Sequence, residues 1–181
     1  MVVDFHKDKN LLSLDYWKEL SIFGKETVSP PVSSIHPLKH IVMSEHFKLE
    51  EFLSSSTAKE NQIENLPSWV VVEHLNQLAL FLDGLRDAWG GPITVTSGFR
   101  NTQLNGLVGG VQLSAHKEGY AADLVPTNRS MASFKKTVVE WIKNKKYDQC
   151  ILEKSGKSEW VHISLYGQKG VQRCECFELK V

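Results

Sequence analysis

Long apolar runs are missing from this chain. No stretch approaches the ~18 consecutive apolar residues of a membrane-spanning helix, so no membrane span is expected. Excess charge of either sign is missing too: 21 Lys and Arg balance 21 Asp and Glu over 181 residues. That excludes a bulk electrostatic grip on nucleic acid or on an anionic membrane. The short basic run Lys143, Lys145 and Lys146 reads as a solvated helix end. Cysteine is scarce. Cys150, Cys174 and Cys176 form an odd set with one C-x-C pair, which is not a disulfide framework. With no second cysteine pair they do not make a metal site either, and they read as reduced, strand-borne small side chains. The opening MVVDFHKDKNLLSLDYW has no basic start followed by a long apolar stretch, so no signal peptide is expected. The expectation is cytoplasmic synthesis, with any action elsewhere depending on lysis, export or delivery by a phage particle.

What is present is enough apolar sequence, 41% of the chain, for one well-buried core. Residues 1–42 look different from the rest. VSPPVSSIHPLKH (Val28–His40) carries three Pro and three Ser and reads as an extended linker. Before it, Leu11, Leu14, Trp17 and Leu20 can share one face of a short amphipathic helix. The expected division is an arm over 1–42 and a domain over 43–181.

SEHFKLEEFLSS (Ser44–Ser55) predicts a short helix with Leu49, Phe52 and Leu53 on one face. LPSWVVVEHLNQLALFLDGLRDAWGG predicts the main core helix, because Val71, Leu75, Leu78, Leu82, Leu85 and Trp89 recur at steps of three and four. Pro67 suits its first turn and Gly90–Gly91 its end. His74, beside the stripe, reads as structural. PITVTSGFR is β-branched and alternating, a strand ending in a turn. NTQLNGLVGG reads as a loop with one helical turn, and YAADLVP as a short strand stopped by Pro126. SMASFKKTVVEWIKNKK predicts a second amphipathic helix capped by Ser130, with Phe134, Val138, Trp141 and Ile142 inward. QCILEK, EWVHISL and VQRCECFELKV follow as three strands. Helices first and strands later imply an α+β fold with a mixed or antiparallel sheet rather than a βαβ series.

Histidines direct the search for chemistry. His6, His36, His40 and His46 have no partner spacing and are expected to be exposed. His116 stands in a Gly-containing loop seven residues before Asp123, and His162 lies in EWVHISL. Two His and one Asp are a three-ligand set, and a catalytic zinc takes three protein ligands while keeping a fourth position open for water. Such chemistry also needs a base. Glu159 is nearest in sequence, three residues before His162, but in a regular strand those two would point to opposite faces. Glu159 is therefore expected in the turn before the strand or at a bulge.

TSGFRNTQLNGLVGGVQLSAHKEGYAAD resembles the zinc D-alanyl-D-alanine peptidases of family M15. That family carries T-S-G-Y/F-R, then L-N-x-x-V-G-G, then S-x-H-x-x-G-x-A-x-D, and closes with Glu-x-x-His or Asp-x-x-His, matched here by EWVH. The resemblance spans about Ser44 to Leu165 and is nearest the small bacterial and phage-associated branch. It implies His116, Asp123 and His162 as zinc ligands and Glu159 as general base, with Glu153 as the rival. It implies Arg100 as the cation facing the scissile carbonyl and Ser114 as a substrate-binding hydroxyl. Gly119 and Ala121–Ala122 match small positions near the metal. Two features depart from the pattern: Ala115 stands where relatives often carry Gln, and the arm lies outside it.

The resemblance implies a hedgehog/D-Ala-D-Ala peptidase-type α+β fold, a small antiparallel sheet flanked by helices. It implies a zinc-dependent peptidoglycan peptidase, a D,D-carboxypeptidase or an endopeptidase of the endolysin kind, acting on stem peptides or cross-links. The alternative is a phage-particle structural or attachment component that retains the domain, with a protein partner docked on residues 1–42.

Overall fold

The computed structural model describes residues 42–127 and 130–180. The expected arm, with Leu11, Leu14, Trp17 and Leu20, lies outside the described residues apart from Val42, as do His6, His36 and His40. Helices come first: α1 (Leu49–Leu53), α2 (Ser56–Glu60) and α3 (Trp69–Trp89). Strand β1 (Ile93–Ser97), helix α4 (Thr102–Leu107) and a short 3₁₀ turn (Ala115–Glu118) follow. Then come β2 (Ala121–Pro126), α5 (Met131–Ile142), β3 (Gln149–Ser155), β4 (Ser158–Ser164) and β5 (Glu175–Lys180).

Helix α3 forms where the apolar stripe predicts it. Ser68 caps its start by accepting a hydrogen bond from Val71 N, and Gly90, left-handed at φ 64°, closes its end. Pro67 falls one residue before the cap rather than inside the first turn. Along the helix Val72, Leu75, Leu78, Ala79, Leu82 and Leu85 are buried, while Val71 and Trp89 only partly cover the core. Helix α5, capped by Ser130, buries Phe134, Val138 and Ile142. The two helices pack through aromatic edges, Phe81 on Trp141 and Trp89 on Phe134.

The helix expected over Ser44–Ser55 is shorter than its pattern. Asp83 of α3 accepts hydrogen bonds from Ser44 Oγ and from the backbone N–H groups of Glu45 and His46. That carboxylate holds the first residues in a turn, and only Leu49–Leu53 winds into α1. His46, expected to be exposed and unpartnered, bonds Asp87. A separate helix, α2, is capped by Ser55, whose hydroxyl accepts from Ala58 N.

The sheet runs β1-β2-β4-β3-β5. The first four strands pair antiparallel. The edge strand β5 joins β3 in parallel, so the sheet is mixed. Alternation divides its two faces. Ile93, Val95, Ala122, Leu124, Cys150, Leu152, Val161 and Ile163 turn toward α3 and α5 and belong to the core. Thr96, Asp123, Ile151, Glu153, Trp160 and His162 occupy the other face and line a cleft. The cysteines are all free, but only Cys150 is buried in a strand; Cys176 is exposed on β5 and Cys174 precedes it.

Leu82 and Leu80 of α3 provide a check on this packing. Leu82 is fully buried and Leu80 is 55% exposed. Leu82→Ala is expected to cost about 2–5 kcal/mol, and Leu80→Ala about 0.5 kcal/mol or less, measured by denaturant unfolding at constant m-value.

Candidate metal centre and cleft

Strand register brings two of the three expected ligands side by side. Asp123 of β2 is the direct antiparallel partner of His162 of β4. His116 arrives from the 3₁₀ turn that leads into β2. Ser114 caps that turn by accepting from His116 N, and left-handed Gly119 (φ 75°) ends it. A Cβ at Gly119 would also come within 2.8 Å of Val71 O of α3, so this position needs glycine twice over. His74 of α3 holds the same turn, with Nδ1 2.7 Å from Glu118 O and its ring stacked on Tyr120. It is structural, as its place beside the helix stripe suggests.

The donor atoms of His116, Asp123 and His162 all lie within 4.8 Å of one another. His116 Nδ1 donates to the Gly98 carbonyl at 2.7 Å. A carbonyl only accepts, so Nδ1 carries a hydrogen, and in the neutral ring the Nε2 lone pair is then the one turned toward the cluster. His162 Nδ1 sits 2.9 Å from Asp123 Oδ1 and 3.2 Å from His116 Nε2. Arg100 Nη2 donates to Asp123 Oδ2 at 2.7 Å and contacts His116 Nε2 at 3.0 Å, while its Nε donates to Ser97 Oγ.

The electrostatics follow from burial and these contacts. Burial pushes His116 below the usual imidazole range, against the pull of Asp123. Burial also opposes ionisation of Asp123, but attraction to His116 and hydrogen bonds from both histidines outweigh it and hold the carboxyl well below its ordinary value. Arg100 donates to the other oxygen of the same carboxylate, at 2.7 Å from Oδ2. Two imidazole nitrogens and a carboxylate converging on one point are a donor set that could hold a divalent metal ion.

The cluster lies in an open cleft of about 1000 Å³. One wall is the loop after α4, with exposed Val108, Val111 and Leu113. Buried Asn105 holds this loop by donating to the carbonyls of Gly110 and Val111. The opposite wall is the segment leading into β5, with Gly167, Val171 and Arg173. Arg100 and Ser114 both line the cleft.

Glu159 is not brought to this site. The β3–β4 hairpin pairs without a break from Gln149↔Ser164 to Ser155↔Ser158, so Glu159 lies inside a regular strand, neither in the turn nor at a bulge. It therefore points to the face opposite His162. There it bonds Lys135 of α5 and Lys154 of β3, both at 2.8 Å. Glu153 is different. It pairs with Trp160 as Ile151 pairs with His162, which puts its side chain on the cleft face. Burial lifts its carboxyl above the ordinary value, partly offset by His162. The hairpin supplied the missing signal: a two-residue turn at Gly156–Lys157 makes Glu153, nine residues from His162, its neighbour on one face. The Gly98 carbonyl, Ser97 and the Asp148–Arg173 pair in the far wall also escaped sequence reasoning. A backbone acceptor leaves no residue-type signature, and the other contacts join distant segments.

An α+β domain with two imidazoles, a carboxylate and an arginine at the floor of an open cleft has the make-up of a metal-dependent hydrolase. A protein-family model, Peptidase M15, matches residues 45–164, and the chain belongs to that family of metallopeptidases. No curated protein matches the chain.

The placement of Glu159 sets an acid-stability test. Hydrogen bonds from Lys135 and Lys154 hold its carboxyl down to about 2 from 4.5. A depressed carboxylate contributes stability that is present above its unfolded value and lost as pH falls through the folded one. The melting-temperature advantage of the native chain over Glu159→Gln is therefore expected to be constant above about pH 5 and to vanish by about pH 2. Because Glu159 is a third exposed, 0.5 M salt should shrink that advantage at neutral pH.

Proposed function

We propose that this peptidase is zinc-dependent and hydrolyses peptide bonds of peptidoglycan, with His116, Asp123 and His162 holding the ion. The observation that carries the reading is the convergence of these three donors on the cleft floor, with Glu153 on the same face and Arg100 in contact. When bound, zinc would supply a Lewis acid toward the scissile carbonyl and lower the pKa of a water molecule.

The chain's own groups account for the rest. Glu153 is the general base: its carboxylate takes the proton from the attacking water and returns it to the departing amine. A partly buried carboxylate with a raised pKa suits both steps better than Glu159, whose two lysines keep it ionised. Arg100 is held by Ser97 and Asp123, so a fixed cation faces the charge that develops on the carbonyl oxygen. Ser114 offers a hydroxyl at the cleft edge for a peptide group of the substrate. The Gly98 carbonyl keeps the His116 tautomer, and hence the ligand set, correct. The apolar wall of Val108, Val111 and Leu113 suits a substrate with short aliphatic side chains such as alanine.

Metal analysis of chelator-free protein is expected to find close to one zinc per chain, and His116→Ala or His162→Ala to lose it. Finding no metal in the unsubstituted protein would remove the proposal. Mass spectrometry of fragments released from purified peptidoglycan would name the bond. Glu153→Gln is expected to retain zinc and lower turnover by roughly 10²–10⁴, with Glu159→Gln costing less than tenfold; the opposite ranking would return the base to Glu159.

A further inference from the structure

The far wall of the cleft carries an arrangement that the catalytic reading does not use. Asp148 is 1% exposed, buried just before β3. Its two oxygens accept from Arg173 Nε and Nη2, each at 2.7 Å, in a bidentate fork. Oδ1 also accepts from the Arg173 backbone N–H. The chain is built around this pair. A Cβ at Gly167 would come within 2.6 Å of Asp148 Oδ2, so the loop passes over the carboxylate only as glycine. Asp148 N bonds Ser164 O, and Asp148 O accepts from Glu175 N, which ties the fork to β4 and β5.

Asp148 therefore grips one edge of the guanidinium and leaves Nη1 on the other side to Glu175. Arg173 lines the cleft, with its side chain 44% exposed. Its Nη1 rests 3.2 Å from Glu175 Oε2. Glu175 is half exposed and belongs to the edge strand, and its other contact is the amide of Gln149, also in the cleft wall. A half-exposed ion pair is readily exchanged for another carboxylate. Glu175 thus occupies the position that an incoming anion would take.

Strand geometry sets how far this position is from the cluster. Gln149 pairs with Glu175, and Ile151 pairs with His162. Two strands across and two residues along amount to roughly 12 Å, or about three to four residues of extended peptide.

We propose that Arg173 is a specificity-determining residue, positioned by buried Asp148 to bind a carboxylate of the peptide substrate about three to four residues from the scissile bond. The proposal rests on the cleft being a peptide site. That carboxylate can be the end of the peptide or an acidic side chain, and the test separates the two. In either case Glu175 competes with substrate, so removing its charge strengthens binding.

The experiment measures equilibrium binding by calorimetry, so it is independent of turnover. It uses the full chain and N-acetylated alanyl peptides of three to six residues, with alanines of either hand. One arm compares free acids with carboxamides; the other compares one internal Glu with Gln in amide-capped peptides. The unsubstituted chain is expected to prefer the carboxylate in one arm by roughly 10–100-fold. Arg173→Gln is expected to bring that ratio close to one, Arg173→Lys to restore part of it, and Glu175→Gln to raise it several-fold. A preference that survives Arg173→Gln, or equal binding of both members of each pair, would overturn the role of Arg173 while leaving the peptide cleft intact. Failure to bind any peptide would overturn the cleft reading itself, and the proposal with it. Should Arg173→Gln unfold the chain, seen as lost circular dichroism, Glu175→Gln decides alone: weaker binding of the carboxylate would show that the Arg173–Glu175 pair only braces the wall.

Discussion

The site depends first on one cross-strand pair, Asp123 opposite His162. In antiparallel strands directly opposed residues stand about 4.5–5.5 Å apart and share a face. That spacing is close enough for two side chains to meet at one point without strain. The register is held by what lies on the reverse face, since Ala122, Leu124, Val161 and Ile163 are buried against the helices. A slip by one residue would exchange the apolar row for the polar one and put Asp123 into the core. Core packing and ligand placement are therefore one constraint. His116 completes the set from outside the sheet, and it needs a turn held by Ser114, Gly119, His74 and the Gly98 carbonyl.

The same alternation distributes the acids. Glu153 and Glu159 are both near the cluster in sequence, and both belong to one hairpin. The pleat sends one into the cleft and the other toward two lysines. Their environments then separate their chemistry: burial raises one carboxyl, and two ammonium groups lower the other. A group that must both accept and release a proton near neutral pH belongs in the first environment. A group that anchors a helix to a strand belongs in the second.

The walls of the cleft come from segments with little regular structure. Asn105 pins the loop after α4 from within, and its apolar side chains remain exposed toward the cleft. Asp148 pins the opposite wall through Arg173. Each wall hangs on one buried polar side chain: the Asn105 amide nitrogen, which donates to two backbone carbonyls, or the Asp148 carboxylate, which accepts a fork of two hydrogen bonds. Such contacts position a loop sharply because leaving them unmade is costly.

The sequence by itself determined the main helices, the strand-rich second half and the identity of the candidate ligands. Helix α3 was legible because six apolar side chains recur at a helical period over about five turns, and α5 because the same signal follows a capping serine. His116, Asp123, His162 and Arg100 became candidates because the motifs that carry them resemble those of family M15, since their spacing alone is a weak signal. Other features belong to the tertiary structure alone. Asp83 stops the helix before α1 from across the fold, because a carboxylate outcompetes a weak local preference. The parallel edge strand depends on the return path of residues 165–174, on which periodicity is silent. The choice between Glu153 and Glu159 is a matter of hairpin register, because a side chain's face is a property of its pairing rather than of its distance along the chain. The Asp148–Arg173 fork joins residues 25 apart in sequence, and nothing local to either one announces the other.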